Sequence, residues 1–193
     1  MTALELFNRV TSGPWNTIGK DVQFRVQDRT LFFQCSNGKV DWLRNFNFPK
    51  SVYKEMPTPF RAHSGFLAAW HDCRDIVMRY EFDRIVGYSH GAALALFAHE
   101  DCIFHNIQVD TIVFGCPRVF APLPESVRYR FSGVTRYTSK GDVVTTVPPK
   151  SFGFEHVGRE IVLTGSIRKE EVSWISYLSH HSPSVYRQRL AGL

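Results

Sequence analysis

Apolar and polar positions recur along the chain with two different periods. Val22, Phe24 and Val26 are separated by polar residues, and residues 28–30 are typical of a turn. Residues 30–34 then form a largely apolar run, which favours a buried strand. Because alternation of this kind places apolar side chains on one face of a strand, the chain is predicted to open with a β-hairpin.

The later segments predict strands and helices in turn. Apolar residues recur every three or four positions from 64 to 80, which is typical of an amphipathic helix, and residues 92–98 and 183–190 predict two more helices. Short apolar runs predict buried strands at residues 84–86, 111–115, 134–138 and 159–163. This alternation indicates an α/β fold, with a mostly parallel central sheet and helices on both faces. No linker-like stretch divides the chain, so residues 1–193 are expected to form a single domain.

Residues 87–91, Gly-Tyr-Ser-His-Gly, lie between a predicted strand and a predicted helix. In this setting Gly-x-Ser-x-Gly is a nucleophile elbow, a sharp strand-to-helix turn that exposes the serine hydroxyl. Gly87 and Gly91 let the adjoining backbone pack closely while Ser89 adopts a strained conformation. The pattern predicts that Ser89 is a catalytic nucleophile. The alternative is an ordinary serine in a glycine-rich turn.

A serine hydroxyl is a poor nucleophile at pH 7, so it needs a histidine to take its proton and a carboxylate to orient that histidine. Asp142 suits the role of the acid because it follows a predicted strand and a turn, which places it at the carboxyl edge of the sheet. Asp110 precedes its strand and would lie at the opposite edge. Glu125 and Glu155 remain alternatives for the acid.

In α/β-hydrolases the order along the chain is serine, acid and histidine, so the base is expected after the acid. His156 precedes a predicted strand, which favours a structural role. His180 and His181 lie in a polar connection directly before the helix predicted at residues 183–190, where a base carried on a loop is expected. On this ground either of these two histidines could be the base.

Several ordered segments resemble the fungal-type (class 3) lipases, a branch of the α/β-hydrolase fold. The resemblance runs from about residue 31 to residue 186. The matching segments are the elbow and its helix (85–95), Thr-Ile-Val-Phe-Gly-Cys-Pro-Arg-Val (111–119), the segment that bears the acid (136–149), the His-x-Gly-Phe helix start (63–66) and the segment that bears the histidine (181–186). The resemblance implies a catalytic triad of Ser89, Asp142 and His181, with His180 as the alternative base.

The resemblance also implies an oxyanion hole with two donors. The first is the backbone N–H of His90, directly after the nucleophile. The second is the N–H of Ser36, which stands where the family has the third residue of an Arg-Gly-Ser or Arg-Gly-Thr motif. Gln34 and Cys35 replace the Arg-Gly pair in this chain.

Residues 37–50 correspond in the resemblance to a lid, a short helix that covers the site until a lipid surface draws it open. Val40, Leu43 and Phe46 suit one face of such a helix, and Trp42 suits a position at a lipid–water interface. The alternative is a short amphipathic segment that only covers the core.

Together these features predict a serine hydrolase that cleaves carboxylic esters through an acyl-enzyme, with acylglycerols and related lipids as substrates. A phospholipase A1 or a soluble short-chain esterase on the same scaffold is the alternative among enzymes. Outside enzymes, an inactive hydrolase scaffold that binds lipid or another partner remains open, because Gln34 and Cys35 depart from the family's motif.

Composition narrows the set of partners. Of 193 residues, 44% are hydrophobic, which is enough for a substantial core. The formal charge of +5 comes from scattered basic residues, so no nucleic-acid partner is expected, whereas transient contact with a membrane or micelle surface is compatible with it. The sequence does not indicate an oligomeric state.

No metal or cofactor is expected either. His99, Cys102 and His105 are regularly spaced but match no zinc-binding pattern, and no phosphate-binding glycine loop is present. The four cysteines have irregular spacing, which favours buried free thiols.

With no signal peptide and no apolar run of about 18 residues, a cytoplasmic location is expected, although a secreted chain whose signal had been removed would look the same.

Overall fold

The N-terminal part of the sheet is an antiparallel meander. The computed structural model describes residues 1–19, 22–35, 48–166 and 178–193. Strands β1 (Asn16–Ile18), β2 (Val22–Gln27) and β3 (Thr30–Cys35) pair antiparallel in chain order. The predicted hairpin is β2 and β3, and Asp28 and Arg29 connect them with φ angles of 49° and 54°. Positive φ at both central residues is what the favoured two-residue hairpin turn requires.

Further along the chain, the predicted strands and helices are present, together with β4, β5 and α4, which were not predicted. The strands are β4 (Lys50–Tyr53), β5 (Phe60–His63), β6 (Arg84–Tyr88), β7 (Asp110–Phe114), β8 (Val134–Ser139) and β9 (Arg159–Leu163). The helices of the described chain are α1 (Ala3–Val10), α2 (Ser64–Val77), α3 (His90–Phe104), α4 (Glu125–Arg130) and α5 (Pro183–Leu190). β4 and β5 form a separate antiparallel pair directly before α2.

The central sheet has the strand order β1-β2-β3-β6-β7-β8-β9. From β3 to β9 every neighbouring pair runs parallel, which confirms the predicted fold class. Parallel neighbours need a crossover between them, and α3 supplies it between β6 and β7. Because parallel strands end at the same edge, the residues that follow β6, β7 and β8 meet there. Sites in open α/β sheets form at this edge.

Helices cover both faces of the sheet. On one face, α2 and α3 pack over a core that includes Phe33, Trp70 and Phe97. α3 is buried from His90 to Cys102, as expected of a helix enclosed by other elements, and its buried polar residues His99, Glu100 and Asp101 are hydrogen-bonded. On the other face, α1 and α5 pack against each other and against the sheet through a smaller, aromatic-rich core.

α1 was not among the predicted elements. Oγ1 of Thr2 accepts a hydrogen bond from the backbone N–H of Glu5 at 3.2 Å, and the Glu5 carboxylate accepts one from the Thr2 N–H at 2.8 Å. This capping box satisfies two N–H groups that a helix start leaves without a partner in the helix. Leu6, Phe7 and Val10 then face the core. The Thr-x-x-Glu spacing is the sequence signal for this helix.

Candidate active site

The turn between β6 and α3 carries Ser89 in a strained conformation. Its φ of 59° and ψ of −125° lie outside the regions that ordinary L-residues prefer. Such strain costs about 1–3 kcal/mol and is concentrated at functional sites. The Ser89 N–H donates to the carbonyl of Phe114 at 3.0 Å, which ties the turn to the end of β7. The strand–turn–helix geometry of an elbow is therefore present at residues 87–91.

The two glycines of the elbow lie where backbones approach closely. A Cβ on Gly91 would lie 2.7 Å from the backbone nitrogen of Gln34 in β3, and a Cβ on Gly87 would lie 2.6 Å from the carbonyl oxygen of Gly91. Both separations are shorter than packed atoms permit. Only glycine at these positions lets α3 begin so close to the sheet, and this places Ser89 at the strand edge.

The side chains of Ser89, His181 and Asp142 form one hydrogen-bonded chain. Nε2 of His181 lies 2.8 Å from Oγ of Ser89, and Nδ1 lies 2.8 Å from Oδ2 of Asp142. All three residues are buried. Because an ionised carboxylate only accepts hydrogen bonds, Nδ1 carries the proton and Nε2 is left to accept the one on Ser89. In this tautomer an imidazole can act as a general base toward serine.

Asp142 is held by groups on both of its oxygens. It follows β8 and begins the 3₁₀ turn Val143–Thr146, where its Oδ1 accepts a hydrogen bond from the Val144 N–H at 2.9 Å. Oδ2, which faces His181, also accepts one from the Tyr186 hydroxyl at 2.7 Å. That hydroxyl in turn accepts from the Ser139 N–H at 3.1 Å. Burial, reinforced by the Asp142 charge, raises the pKa of Tyr186 well above its ordinary value, so the phenol remains a donor.

His181 is held from several sides as well. It ends the 3₁₀ turn Ser179–His181, and Ser182 then caps α5 by accepting the Val185 N–H at 3.4 Å. The Tyr88 ring stacks on the His181 ring with centroids 5.1 Å apart and planes 18° apart. The Tyr88 hydroxyl donates to the backbone carbonyl of His181. Neither this pairing nor the contact between Tyr186 and Asp142 has a signal in the local sequence.

The other carboxylates considered for the acid lie elsewhere. Asp110, at the start of β7, accepts from Arg84 at 2.9 Å, and Glu155 accepts from Arg128 and from the backbone N–H of Leu123. Glu125 lies at the start of α4. None of these contacts involves Ser89 or a histidine. Asp142 is the carboxylate among the four that the structure places on the His181 ring.

The two remaining candidates for the base lie away from the serine hydroxyl. Nε2 of His156 lies 2.8 Å from the carbonyl oxygen of Thr145, to which it donates, so this residue supports the turn after Asp142. The His180 ring packs beside Gly141. Of the three histidines that follow Asp142, His181 is the one whose ring lies between Asp142 and Ser89.

A pair of histidines lies on the α2 side of the serine. His90 begins α3 directly after Ser89, which places its backbone N–H at a helix N-terminus, and its ring lies 5.4 Å from the Phe66 ring. His63 caps α2 by accepting the Gly65 N–H at 3.2 Å, and its ring lies 4.6 Å from the same phenylalanine. Burial, and secondarily the proximity of His90, lowers the pKa of His63 to about 4, so this histidine is neutral at pH 7.

The second predicted oxyanion donor and the predicted lid lie outside the described residues. They are Ser36 and the lid residues Val40, Trp42, Leu43 and Phe46. The described chain resumes before Lys50, whose ammonium group lies 4.8 Å from the centre of the Phe154 ring and donates to the Phe152 carbonyl at 2.6 Å.

The evenly spaced His99, Cys102 and His105 have other contacts. Nδ1 of His99 lies 2.9 Å from the Thr111 hydroxyl and Nε2 lies 2.9 Å from the Arg130 carbonyl, so both ring nitrogens are engaged. Nδ1 of His105 lies 2.7 Å from the Asp101 carbonyl. Cys102 is a buried free thiol, as are the other two cysteines whose side chains are described, and burial raises its pKa to about 12. Across the described ranges no cluster of three or more possible metal ligands is found.

No helix in the described part of the chain is long and apolar enough to cross a membrane.

Comparison with known proteins shows the family to which the chain belongs. The family model described as lipase (class 3) matches residues 30–152, which include Ser89 and Asp142. Those residues are more than half of the chain.

Solved structures of fungal lipases share the fold. Lipase II from Rhizopus niveus is 25% identical with a TM-score of 0.64, over 80% of this chain and 68% of that one. A lipase from Rhizopus microsporus var. chinensis is 22% identical with a TM-score of 0.62, over 83% of this chain and 65% of that one. A mono- and diacylglycerol lipase from Aspergillus oryzae is 25% identical with a TM-score of 0.62, over 75% and 58%. This chain therefore spans about two thirds of the length of these relatives, or less.

Proposed function

The chain belongs to the class 3 lipase family, and from that premise we propose that it hydrolyses carboxylic esters of lipids, acylglycerols above all, with Ser89, His181 and Asp142 as its catalytic triad. The observation that carries the proposal is the unbroken hydrogen-bonded chain from Ser89 Oγ through the His181 ring to Asp142 Oδ2. A scaffold that only bound lipid would not need these hydrogen bonds between serine, histidine and aspartate.

In the first half of the reaction, Oγ of Ser89 attacks the ester carbonyl carbon while Nε2 of His181 takes the hydroxyl proton. Asp142 keeps the other ring nitrogen protonated and stabilises the imidazolium that forms. The carbonyl oxygen becomes an oxyanion, which the backbone N–H groups of His90 and Ser36 are proposed to bind. When the tetrahedral intermediate collapses, His181 donates the proton to the departing alcohol, and the acyl group remains on Ser89.

The second half repeats these roles with water. His181 takes a proton from a water molecule, whose oxygen attacks the acyl carbon, and the same two amides are proposed to bind the new oxyanion. Collapse returns the proton to Ser89 and releases the carboxylic acid. No redox or metal chemistry enters this sequence of steps.

The lid and the lipid surface are part of the same proposal. Residues 37–50, with Val40, Trp42, Leu43 and Phe46, would cover the site in water and lie against a membrane or micelle surface when it opens. We also propose that residues 1–193 form a single hydrolase domain.

Labelling with a fluorophosphonate tests the nucleophile. We expect the wild type to be labelled, S89A to be unlabelled and inactive but folded, and S132A, which alters an exposed serine, to behave as the wild type. Labelling of S89A, or retention of its activity, would contradict the assignment. Circular dichroism of each variant separates a lost nucleophile from a lost fold.

Substrate profiles then separate the ester classes. We expect hydrolysis of p-nitrophenyl palmitate and of diacylglycerol to rise when micelles are present, because a lipid surface would open the lid. Preference for p-nitrophenyl butyrate with no effect of micelles would indicate a short-chain esterase. Release of the sn-1 acyl chain from phosphatidylcholine faster than from diacylglycerol would indicate a phospholipase A1.

A further inference from the structure

Tyr88, the last residue of β6, contacts the proposed base in two ways. Its ring stacks on the His181 ring, with centroids 5.1 Å apart and planes 18° apart, and its hydroxyl donates to the His181 backbone carbonyl. Ser89, the next residue in the chain, lies 2.8 Å from Nε2 of the same histidine. The residue that precedes the nucleophile therefore holds both the ring and the backbone of the group that must take the nucleophile's proton.

We propose that Tyr88 is a positioning residue for the reaction, whose hydroxyl fixes the segment that carries His181 and whose ring stabilises the imidazolium formed during catalysis. The proposal rests on the proposed role of His181 as the base. It assigns the two parts of one side chain to two separable effects. The hydroxyl determines the position of His181, and the ring stabilises the protonated form of His181.

The surroundings of Tyr88 keep its ring in place. Side chains alternate between the faces of a strand, so Tyr88 lies on the face covered by α1 and α5, together with Val86. There the Phe7 ring of α1 meets the Tyr88 ring edge-on, with centroids 5.2 Å apart and planes 83° apart, and the Tyr186 ring of α5 lies 5.9 Å away at 69°. Tyr88 is 6% exposed. With aromatic rings on its other sides, it has little freedom to move away from His181.

The hydroxyl bond fixes a segment that the sheet does not hold. His181 follows β9 in the chain and lies on a 3₁₀ turn, so no strand pairing places its backbone. The bond from Tyr88 joins that backbone directly to the strand that leads into Ser89. Because a proton transfer requires the two heavy atoms to remain within hydrogen-bond reach, a drift of the turn would slow catalysis without weakening substrate binding.

The ring contact matters once His181 is charged. The titratable side chains that the structure places against its ring include Asp142 on Nδ1, Tyr88 on one face and Tyr186 at 6.3 Å with planes 87° apart. The Asp142 carboxylate supplies the opposite charge. The face of an aromatic ring carries partial negative charge and attracts a cation, most strongly where water is excluded. Tyr88 therefore favours the imidazolium over the neutral imidazole.

Two substitutions separate these effects. Y88F keeps the ring and removes the hydroxyl, whereas Y88L removes both. We expect Y88F to lower kcat for p-nitrophenyl butyrate by roughly three- to tenfold, with KM within about twofold and the acidic limb of the pH profile unmoved. Y88L should lower kcat further and move the midpoint of that limb to lower pH by about half a pH unit, because the charged ring loses its aromatic partner. If leucine prevents folding, Y88M fills the space without an aromatic face.

Y137L is the matched control. Tyr137 stacks on Phe114 with centroids 5.1 Å apart, within the same aromatic core. We expect Y137L to lower thermal stability but to leave the acidic limb in place. A Y88L (or Y88M) enzyme that is likewise only less stable, with the wild-type limb, would overturn the proposal for Tyr88.

Fluorophosphonate labelling keeps the two proposals distinguishable. If the wild type is labelled on Ser89 and the Y88 variants retain its kcat and its pH profile, the role of Tyr88 is wrong and the triad stands. If the wild type is not labelled on Ser89, both proposals fail together.

Discussion

Oγ of Ser89 lies 2.8 Å from Nε2 of His181, although 92 residues separate them in the chain. The two sides of this contact are built differently. Ser89 is fixed by a strand, a helix and a backbone hydrogen bond to β7, whereas His181 is held on its turn by side chains, chiefly Tyr88 and Asp142. Substitutions of the supporting side chains are therefore expected to act on the reaction through the histidine.

The acid is tested by D142N. An asparagine amide at this position cannot stabilise the imidazolium, and if its NH₂ faces the ring it favours the wrong tautomer of His181. We expect kcat to fall by about 10⁴-fold while the far-ultraviolet circular dichroism is unchanged. E155Q is the matched control, because Glu155 contacts Arg128 and a backbone amide and should matter only for stability. If E155Q proves the damaging change and D142N is active, Asp142 is not the acid.

The Tyr186 hydroxyl links Asp142 to the end of β8. Y186F would remove a buried donor to a carboxylate and leave the Ser139 N–H without its acceptor. We expect a loss of about 1.5–3 kcal/mol in the free energy of unfolding and a fall in kcat of about 10- to 100-fold. Urea unfolding and steady-state kinetics measure the two effects. Y129F, at a tyrosine that is 77% exposed, should change neither by more than experimental error.

Close packing of α3 against β3 predicts the effect of G91A. Helix propensity alone favours alanine over glycine by about 1 kcal/mol, but here the added Cβ would lie 2.7 Å from the Gln34 nitrogen. We expect the steric clash to outweigh the gain in helix propensity, with a net loss of about 1–3 kcal/mol in the free energy of unfolding and loss of activity. G133A is the control, since nothing lies within 4 Å of the Cβ that it adds. Equal stability of the two variants in urea would show that α3 shifts to accept the methyl group.

His63 and His156 make the free energy of unfolding depend on pH. Burial, assisted by the charge of Arg136, lowers the pKa of His156 to about 4, and burial lowers that of His63 similarly. Both are neutral in the folded protein, whereas the unfolded chain binds their protons below about pH 6.5. The stability that they contribute is therefore present above pH 6.5 and is lost as the pH falls from 6.5 toward 4.

H156Q tests this dependence. Removing His156 should make the free energy of unfolding fall less steeply between pH 6.5 and 4, by up to about 1.4 kcal/mol per pH unit. Urea unfolding followed by tryptophan fluorescence gives the slope. H71Q, which changes an exposed histidine paired with Glu55, should keep the wild-type slope. An unchanged slope in H156Q would mean that His156 is protonated in the folded state.

The features that the sequence predicted carry local signals. Each predicted strand and helix has its own hydrophobic pattern, and the glycines around Ser89 predict the turn independently of the rest of the chain. The fold class followed from these local patterns. α1 also has a local signal, the capping box of Thr2 and Glu5. Its amphipathic stretch is only two turns long, which is too short to predict a helix by periodicity.

What could not be predicted depends on contacts between distant segments. Tyr88 and His181 are 93 residues apart, and Tyr186 and Asp142 are 44 apart, so no window of sequence contains either pair. Nothing in the residue types distinguishes a tyrosine that supports a histidine from one that fills the core. The choice between His180 and His181 is similar, because neighbouring residues on a tight turn point in different directions only once the turn is built. Family resemblance supplied the choice that local chemistry left open.

The strict chain order of the strands has a consequence for synthesis. From β2 onward, each strand of the central sheet pairs with a strand that was synthesised before it. The sheet can therefore grow in the direction of translation. The proposed base is synthesised 92 residues after the nucleophile. At about 5–20 residues per second, this corresponds to roughly 5 to 18 seconds during which the elbow exists without its histidine. Under the proposed mechanism, a nascent chain cannot cleave esters until His181 has been synthesised and has folded against Ser89.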